Sequence, residues 1–255
     1  MMCMEGLETI PLSTLEDQAR QYASSGAIDP VKNLANHNVY LYSGIFDITV
    51  KPSVVQSLET MYRDFGITNV TTQYSISSAH TYPTLNYGNL CALSMSPYIS
   101  ACEYDGAGAA LQAIYGPLKA PVAPVSANFI TLDQSKFTGG VSPASLSLGP
   151  TAWVYLPTAC KNKAVACKLH VAFHGCEQSQ SVVGNVFIEN AGYNNWAESN
   201  NIIVVYPQTI VSLFGPENAE GCWDWWGYLD GNFANKQGPQ IKFAKALIDY
   251  MYTNF

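Results

Sequence analysis

Charged residues are scarce in this chain of 255 residues. Asp, Glu, Lys and Arg together make up 12% of the sequence, which is about half the usual share in soluble domains. Lys and Arg number 12 against 19 Asp and Glu, so the formal net charge is −7, and the basic residues form no cluster. Because nucleic acids require a basic footprint for their phosphates, the composition argues against a nucleic-acid partner.

Long apolar runs are also missing. The longest strand-like run covers residues 202–206, far short of the about 18 residues that span a membrane, so we predict no membrane partner. The first residues lack an export signal as well. A secretory signal needs a basic start and then an apolar stretch, whereas Glu5 and Glu8 come early and the first basic residue is Arg20.

Metal-binding patterns are absent too. The chain contains no Cys-x-x-Cys motif, and its four histidines do not follow zinc-finger spacing. We therefore predict no metal and no cofactor. The histidines are His37, His80, His170 and His174.

The seven cysteines instead favour disulfides. Six of them form three local-looking pairs, which indicates an oxidising compartment and leaves Cys3 over. Cys91 and Cys102 bracket a short segment, Cys160 and Cys167 bracket another, and Cys176 and Cys222 each follow a glycine.

Hydrophobic residues make up 48% of the chain, which is enough to bury a core. Strand and helix patterns alternate, which predicts an α/β domain with a largely parallel sheet. We expect a single domain over 1–255, with 116–150 as an irregular, Pro-, Ser- and Gly-rich connection. Helices are predicted over 12–23, 52–65, 105–115, 187–199 and 241–251, and strands over 38–42, 70–76, 153–156, 169–173 and 202–206.

Asp47 and His80 each stand a few residues beyond a predicted strand. Ligands of open α/β sheets gather at these strand ends, and an acid followed by a histidine is the chain order of a hydrolase triad. The alternative is structural: Asp47 as a turn or capping residue before Pro52, and His80 as a surface loop residue.

His174-Gly175-Cys176 follows the predicted strand 169–173. A strand leading into His-Gly is typical of an oxyanion loop, whose backbone N–H groups stabilise a negative oxygen. An ordinary strand-ending turn with a structural disulfide at Cys176 is equally compatible. Both can hold, because a disulfide to Cys222 would stiffen the loop.

The most aromatic stretch, 221–228, has four large rings in six residues and favours a surface for apolar substrate. A nucleophile elbow, Gly-x-Ser-x-Gly, is missing from the chain. Gly140-Val141-Ser142 comes nearest, but two residues later the pattern has Ala144 instead of glycine.

Several motifs together resemble the secreted, fungal-type poly(3-hydroxybutyrate) depolymerases, a circularly permuted branch of the α/β-hydrolases. The resemblance covers the whole chain. It is most specific at 78–84 (Ser-Ala-His-Thr-Tyr-Pro-Thr), 96–100, 104–110, 169–176 (Leu-His-Val-Ala-Phe-His-Gly-Cys), 192–197 and 221–228.

The resemblance implies roles for individual residues. Asp47 would be the triad acid, His80 the triad base, the Cys176 amide an oxyanion donor, and Tyr228 the aromatic at the mouth of the substrate crevice. It also implies the disulfides Cys91–Cys102, Cys160–Cys167 and Cys176–Cys222.

In this family the nucleophile elbow and the cysteine partner of Cys3 lie before the acid. The resemblance therefore implies a chain truncated relative to its family, without the nucleophile serine, its strand and its elbow, and inactive as it stands. The expected parent function is a secreted, monomeric serine esterase acting on poly(3-hydroxybutyrate) or a related hydroxyalkanoate polyester. The alternatives are a feruloyl or acetyl esterase and a non-catalytic relative that only binds.

Overall fold

The computed structural model describes residues 2–6 and 8–255, apart from the side chains of Met2 and Cys3. The expectation that Cys3 is unpaired thus falls outside the described residues. The helices are α1 (Met2–Glu5), α2 (Leu12–Ser24), α3 (Pro52–Asp64), α4 (Gly106–Tyr115), α5 (Gln180–Val183), α6 (Val186–Asn190), α7 (Tyr193–Asn200) and α8 (Pro239–Asn254).

The residues group into two compact units, Met1–Pro117 and Leu118–Phe255, each of which is described by itself. The strands are β1 (Val39–Tyr42), β2 (Val70–Gln73), β3 (Tyr82–Thr84), β4 (Asn89–Leu90) and β5 (Ile99–Ala101) in the first unit, and β6 (Phe129–Asp133), β7 (Thr151–Tyr155), β8 (Lys168–Val171) and β9 (Ile202–Tyr206) in the second.

In the first unit, β1 and β2 form a parallel pair in which Val39 lies opposite Val70. Helix α3 between them begins at Pro52, a residue suited to the first turn of a helix, and is followed by Gly66 at φ 85°. Helix α4 packs against β1 and is capped by the Asp105 carboxylate, which accepts the Gly108 N–H. A second parallel sheet has the order β3-β5-β4.

In the second unit, a four-stranded sheet has the order β6-β7-β9-β8, and only β8 and β9 are parallel. All five residues of β9 are buried, as expected for a strand covered on both faces. Helix α7 packs against β9, and α8 buries Phe243, Leu247 and Met251 in the core.

The carboxylate of Glu198 on α7 ties this helix to the end of β7. It accepts hydrogen bonds from the Tyr155 hydroxyl at 2.6 Å, Asn128 Nδ2 at 3.0 Å and the Thr158 N–H at 3.2 Å. No helix in the described ranges combines the length and the apolar character that a membrane crossing demands.

Three sequence expectations need correction. The helix expected over 187–199 is two helices, because Gly192 at φ 95° breaks the chain between α6 and α7. The expected connection 116–150 contains β6, whose Ile130 and Leu132 pack against the core. The apolar face that the sequence predicts for the last helix is Ile241, Ala244, Ile248 and Met251, but Ile241 is 47% exposed and the buried apolar residues of α8 are Phe243, Leu247 and Met251.

Candidate active site

Asp47 lies in the loop after β1 and is 91% buried at its side chain. Its Oδ1 accepts the backbone N–H groups of Thr49 at 3.0 Å and Val50 at 2.8 Å, which is an Asx turn leading into α3. Its Oδ2 lies 2.8 Å from Nδ1 of His80. The carboxylate is therefore held by the backbone through one oxygen and holds the imidazole through the other.

The loops after β1 and β2 are joined beyond the strand ends. Ile45 N–H donates to the Ile76 carbonyl at 2.9 Å, and Phe46 N–H donates to the Ser78 carbonyl at 3.0 Å. Gly44 makes this approach possible, since a Cβ there would lie 2.1 Å from the same Ser78 oxygen. Hydrogen bonding between the two segments thus continues beyond the strands, into the loops that contain Asp47 and His80.

The imidazole of His80 is fixed on one side and open on the other. Nδ1 donates to Asp47, yet 44% of the side chain is exposed, so Nε2 is accessible to a reacting group. The backbone is braced by Ser94 Oγ, which donates to the His80 carbonyl at 3.0 Å, and by Ala79 N–H, which donates to Cys91. Cys91 is in turn bonded to Cys102.

No serine or cysteine side chain among the described residues is hydrogen-bonded to His80 Nε2. Ser142, the nearest match to an elbow, is exposed and precedes the short 3₁₀ turn Pro143–Leu146, so it does not occupy a strand-to-helix elbow. What the first unit contains is a buried carboxylate hydrogen-bonded to a partly exposed imidazole.

In the second unit, residues 175–178 form a turn after β8 in which three of the four amides are hydrogen-bonded to described residues and that of Cys176 is not. The Gly175 N–H donates to Gln178 Oε1 at 2.9 Å, Glu177 N–H to Glu220 O at 2.7 Å, and Gln178 N–H to Gly175 O at 3.2 Å. The Cys176 N–H has no acceptor within the described ranges, and the residue is exposed. A free N–H of this kind is what an oxyanion donor requires.

Cys176 is bonded to Cys222, with the two Cα atoms 4.2 Å apart. The segment around Cys222 is itself anchored, because Cys222 N–H donates to Asn218 Oδ1 at 2.8 Å and Asn218 Nδ2 donates to the Cys222 carbonyl at 2.8 Å. A third disulfide joins Cys160 and Cys167. All three pairings implied by the family resemblance are present.

Tyr228 is half-buried, and its hydroxyl serves the fold: it donates to the Cys222 carbonyl at 2.9 Å and accepts from Gln240 Nε2 at 2.8 Å. Burial raises its pKa to about 12. The outward-facing rings of the stretch are those of Trp225 and Trp226, 52% and 44% exposed. Trp226 lies against Tyr228 with 4.8 Å between ring centroids.

The structure thus brings Asp47 and His80 together in one unit, and Cys176, Cys222 and Tyr228 in the other. Sequence reasoning missed the supporting residues, namely Gly44, Ser78 and Gln178. The position of Gly44 close to the end of a predicted strand is a weak indication that another backbone segment approaches it closely. Nothing in the local pattern distinguishes Gln178 from any other polar loop residue.

No protein-family model matches the chain. Among curated proteins, a poly(3-hydroxybutyrate) depolymerase of Delftia acidovorans is 41% identical over 251 residues, covering 97% of this chain and 49% of that protein. A polyhydroxybutyrate depolymerase of Talaromyces funiculosus is 39% identical over 245 residues, covering 91% of this chain and 71% of that protein. The chain thus spans about half the length of the first relative.

Two solved structures are similar throughout. One is a PHB depolymerase, a serine-to-alanine variant complexed with an R3HB trimer; its TM-score is 0.87 at 36% identity, covering 95% of this chain and 78% of that one. The other is a PHB depolymerase from Penicillium funiculosum, with a TM-score of 0.86 at 35% identity, covering 96% and 80%.

Proposed function

Since the chain belongs to the poly(3-hydroxybutyrate) depolymerase family, we propose that it supplies the acid, the base and one oxyanion donor for hydrolysis of a hydroxyalkanoate polyester. Asp47 is the acid, His80 the base and the Cys176 amide the donor. The observation that carries the proposal is the 2.8 Å hydrogen bond between Asp47 Oδ2 and His80 Nδ1, made by a buried carboxylate to an imidazole whose other nitrogen is accessible.

The chemistry follows from that geometry. With its proton on Nδ1, His80 presents the Nε2 lone pair, which takes the proton of a serine hydroxyl as the serine oxygen attacks the ester carbonyl. Asp47 stabilises the imidazolium, and the Cys176 N–H binds the negative oxygen of the tetrahedral intermediate. Nε2 then protonates the leaving alcohol, and water repeats the sequence to release the hydroxy acid from the acyl-enzyme.

The nucleophilic serine, in our proposal, is not one of these 255 residues. Two observations support this: the sequence has no Gly-x-Ser-x-Gly, and no described hydroxyl is bonded to His80 Nε2. Loss of a nucleophile costs about 10⁶-fold in the turnover of a triad enzyme. We therefore expect the chain on its own to be essentially inactive towards esters.

The chain order supports a circular permutation. In an ordinary α/β-hydrolase the His-Gly loop precedes the acid and the histidine, whereas here His174 follows Asp47 and His80. Three disulfides in a chain with few charged residues favour an oxidising compartment, and we propose secretion.

Turnover of p-nitrophenyl butyrate and release of 3-hydroxybutyrate from polyester film test the proposal. We expect no turnover above background by the 255-residue chain, and turnover by a version extended with a Gly-Leu-Ser-Ser-Gly elbow segment of the family type. His80→Ala should abolish the turnover of the extended version, and the exposed His37→Ala is the matched control. Turnover that survives His80→Ala would contradict the assignment of the base.

A second candidate function is binding of polyester without hydrolysis. The observations that favour it are the missing nucleophile and the exposure of Trp225 and Trp226. Two results together would favour the binding function. The 255-residue chain would bind polyester film, with weaker binding in Trp225→Ala, and the extended version would not hydrolyse the film. Faster turnover of soluble feruloyl or acetyl esters than of film would instead indicate another esterase specificity.

A further inference from the structure

We propose that His174 is a positioning residue that sets the direction of the Cys176 N–H through the peptide group joining Gly175 and Cys176. For its catalytic meaning the inference rests on the proposed function, in which the Cys176 amide is an oxyanion donor. The side chain of His174 does not touch substrate in this proposal. It acts through the backbone of the two residues that follow it.

The hydrogen-bond partners of His174 determine its tautomer. Nδ1 lies 2.7 Å from the Gly175 carbonyl oxygen, and Nε2 lies 3.2 Å from the Thr209 backbone nitrogen. A carbonyl oxygen only accepts and a backbone N–H only donates. The proton of a neutral imidazole must therefore be on Nδ1, with the Nε2 lone pair accepting from Thr209.

This arrangement aims the amide of Cys176. The carbonyl of residue 175 and the N–H of residue 176 belong to one planar trans peptide and point in opposite directions. Because His174 Nδ1 holds the Gly175 oxygen on the side of the buried ring, the Cys176 N–H points away from it. Gln178 N–H donates to the same oxygen at 3.2 Å, which gives the carbonyl two donors.

The position of Gly175 is further restricted from its other side. Its own N–H donates to Gln178 Oε1, and a Cβ at this residue would lie 2.8 Å from that oxygen. Among residues 175–178, the hydrogen bonds of Gly175, Glu177 and Gln178 therefore leave the Cys176 amide without an acceptor in the described part of the chain. A rotated peptide would break the bonds of His174 and Gln178 together.

Burial keeps the His174 imidazole neutral. The residue is 3% exposed, its ring lies 5.7 Å from that of Trp223, and burial lowers its pKa to about 4, against the opposing hydrogen bond with Gly175. A neutral ring suits these contacts, because a second proton on Nε2 would face the Thr209 N–H and would have only the Thr209 hydroxyl, at 3.3 Å, as an acceptor among the described residues.

Two substitutions distinguish the hydrogen bond of His174 Nδ1 from the packing of the imidazole ring, because both remove the ring but only one keeps a donor at the Nδ1 position. The amide of His174→Asn can place its Nδ2 donor where Nδ1 lies, and so keep the bond to Gly175. The amide of His174→Gln reaches the Nε2 position instead and leaves the Gly175 carbonyl without this donor. His170→Asn is the matched control, since His170 lies on β8, is partly buried, and has a pKa that burial also lowers to about 4.

The first readout needs no catalysis. Long-range ¹H–¹⁵N correlation spectra of the 255-residue chain should show His174 protonated on Nδ1. The Cys176 amide resonance should stay at its wild-type position in His174→Asn and His170→Asn and shift in His174→Gln. A proton on Nε2 in the wild type, or the same Cys176 resonance in all variants, would overturn the proposal.

The second readout is turnover of p-nitrophenyl butyrate by the elbow-extended version. We expect kcat within about fivefold of wild type for His174→Asn, and for His174→Gln a loss approaching the roughly 10²–10³-fold of a missing oxyanion donor with KM unchanged. Equal kcat losses in the two variants would overturn the positioning role. An inactive wild type would instead refute the proposed function, and the amide and tautomer results would still decide whether His174 aims the Cys176 N–H.

Discussion

Replacement of Asp47 by Asn and by Ala should separate its two roles. Oδ1 accepts from the Thr49 and Val50 backbone, and Oδ2 accepts from His80. Asn keeps an oxygen for the backbone but presents an NH₂ group to His80 Nδ1. That donor forces the proton of the neutral imidazole onto Nε2, and the lone pair that should accept the serine proton is lost.

The expected magnitudes differ accordingly. Asp47→Asn should lower kcat of the elbow-extended version by about 10⁴-fold, as the same change does in a serine protease triad, which is about 5.5 kcal/mol of transition-state stabilisation. It should cost little stability. Asp47→Ala should lower kcat at least as much and also lower the free energy of unfolding by about 1–2 kcal/mol, since the Asx turn before α3 loses its acceptor.

Steady-state kinetics measure the first effect and urea unfolding the second. The observation that would refute this reasoning is an Asn variant as unstable as the Ala variant, or one with kcat within tenfold of wild type. The first result would mean that Oδ1 does not hold the loop. The second would mean that His80 does not need Asp47 to present its lone pair.

Three further predictions concern stability. Removing Cys176–Cys222 by serine substitution should lower the free energy of unfolding in guanidinium chloride by about 4 kcal/mol, and removing Cys160–Cys167 should lower it by about 2.5 kcal/mol. The difference arises because the first disulfide closes a longer loop, with a sequence separation of 46 against 7. Equal losses of stability would contradict this reasoning. Glu198 is partly buried, which opposes its ionisation, but its hydrogen bonds outweigh burial and lower its pKa. The stability that Glu198 contributes is therefore present above the ordinary pKa of about 4.3 and lost as pH falls through the folded pKa. The free energy of unfolding should depend less on pH between 7 and 3 in Glu198→Gln, and an unchanged pH dependence would refute the assignment. Gly44→Ala should destabilise by about 3 kcal/mol or more, because its Cβ would overlap a backbone oxygen, whereas Gly231→Ala, with no neighbour within 4 Å, should have little effect on the thermal midpoint.

The α/β-hydrolase-type fold expected from the sequence is confirmed by the likeness to solved depolymerases at a TM-score of 0.87. The burial of β9 could be predicted because a run of five apolar residues suits a strand covered on both faces. The face of α8 could not be predicted correctly, because Ile241 and Phe243 begin two neighbouring apolar stripes and only tertiary packing selects one. Strand β6 was missed because turn-forming residues surround its short alternation of Ile130 and Leu132.

The site shows the same division between local and tertiary signals. The contact between Asp47 and His80 was predictable, since residues just beyond strand ends converge in an α/β sheet. The hydrogen bond of His174 Nε2 with Thr209 was not, because Thr209 is 35 residues away in sequence. The role of Gly44 likewise follows only from its approach to the loop after β2.

The structural and the proposed catalytic role of Asp47 are alternatives in the sequence, but the hydrogen bonds of the side chain are compatible with both. A carboxylate has two oxygens, and here each has a different partner: the backbone before α3 for Oδ1 and the imidazole for Oδ2. The turn that precedes α3 is therefore what holds the second oxygen in place for His80. Asn at this position could accept from the backbone of the turn but could not accept from His80 Nδ1 through its amide nitrogen. It would satisfy the local sequence pattern equally well. The local pattern that predicts a turn residue at Asp47 therefore does not argue against a catalytic role. Only a substitution that preserves one side-chain oxygen and replaces the other can distinguish the two roles.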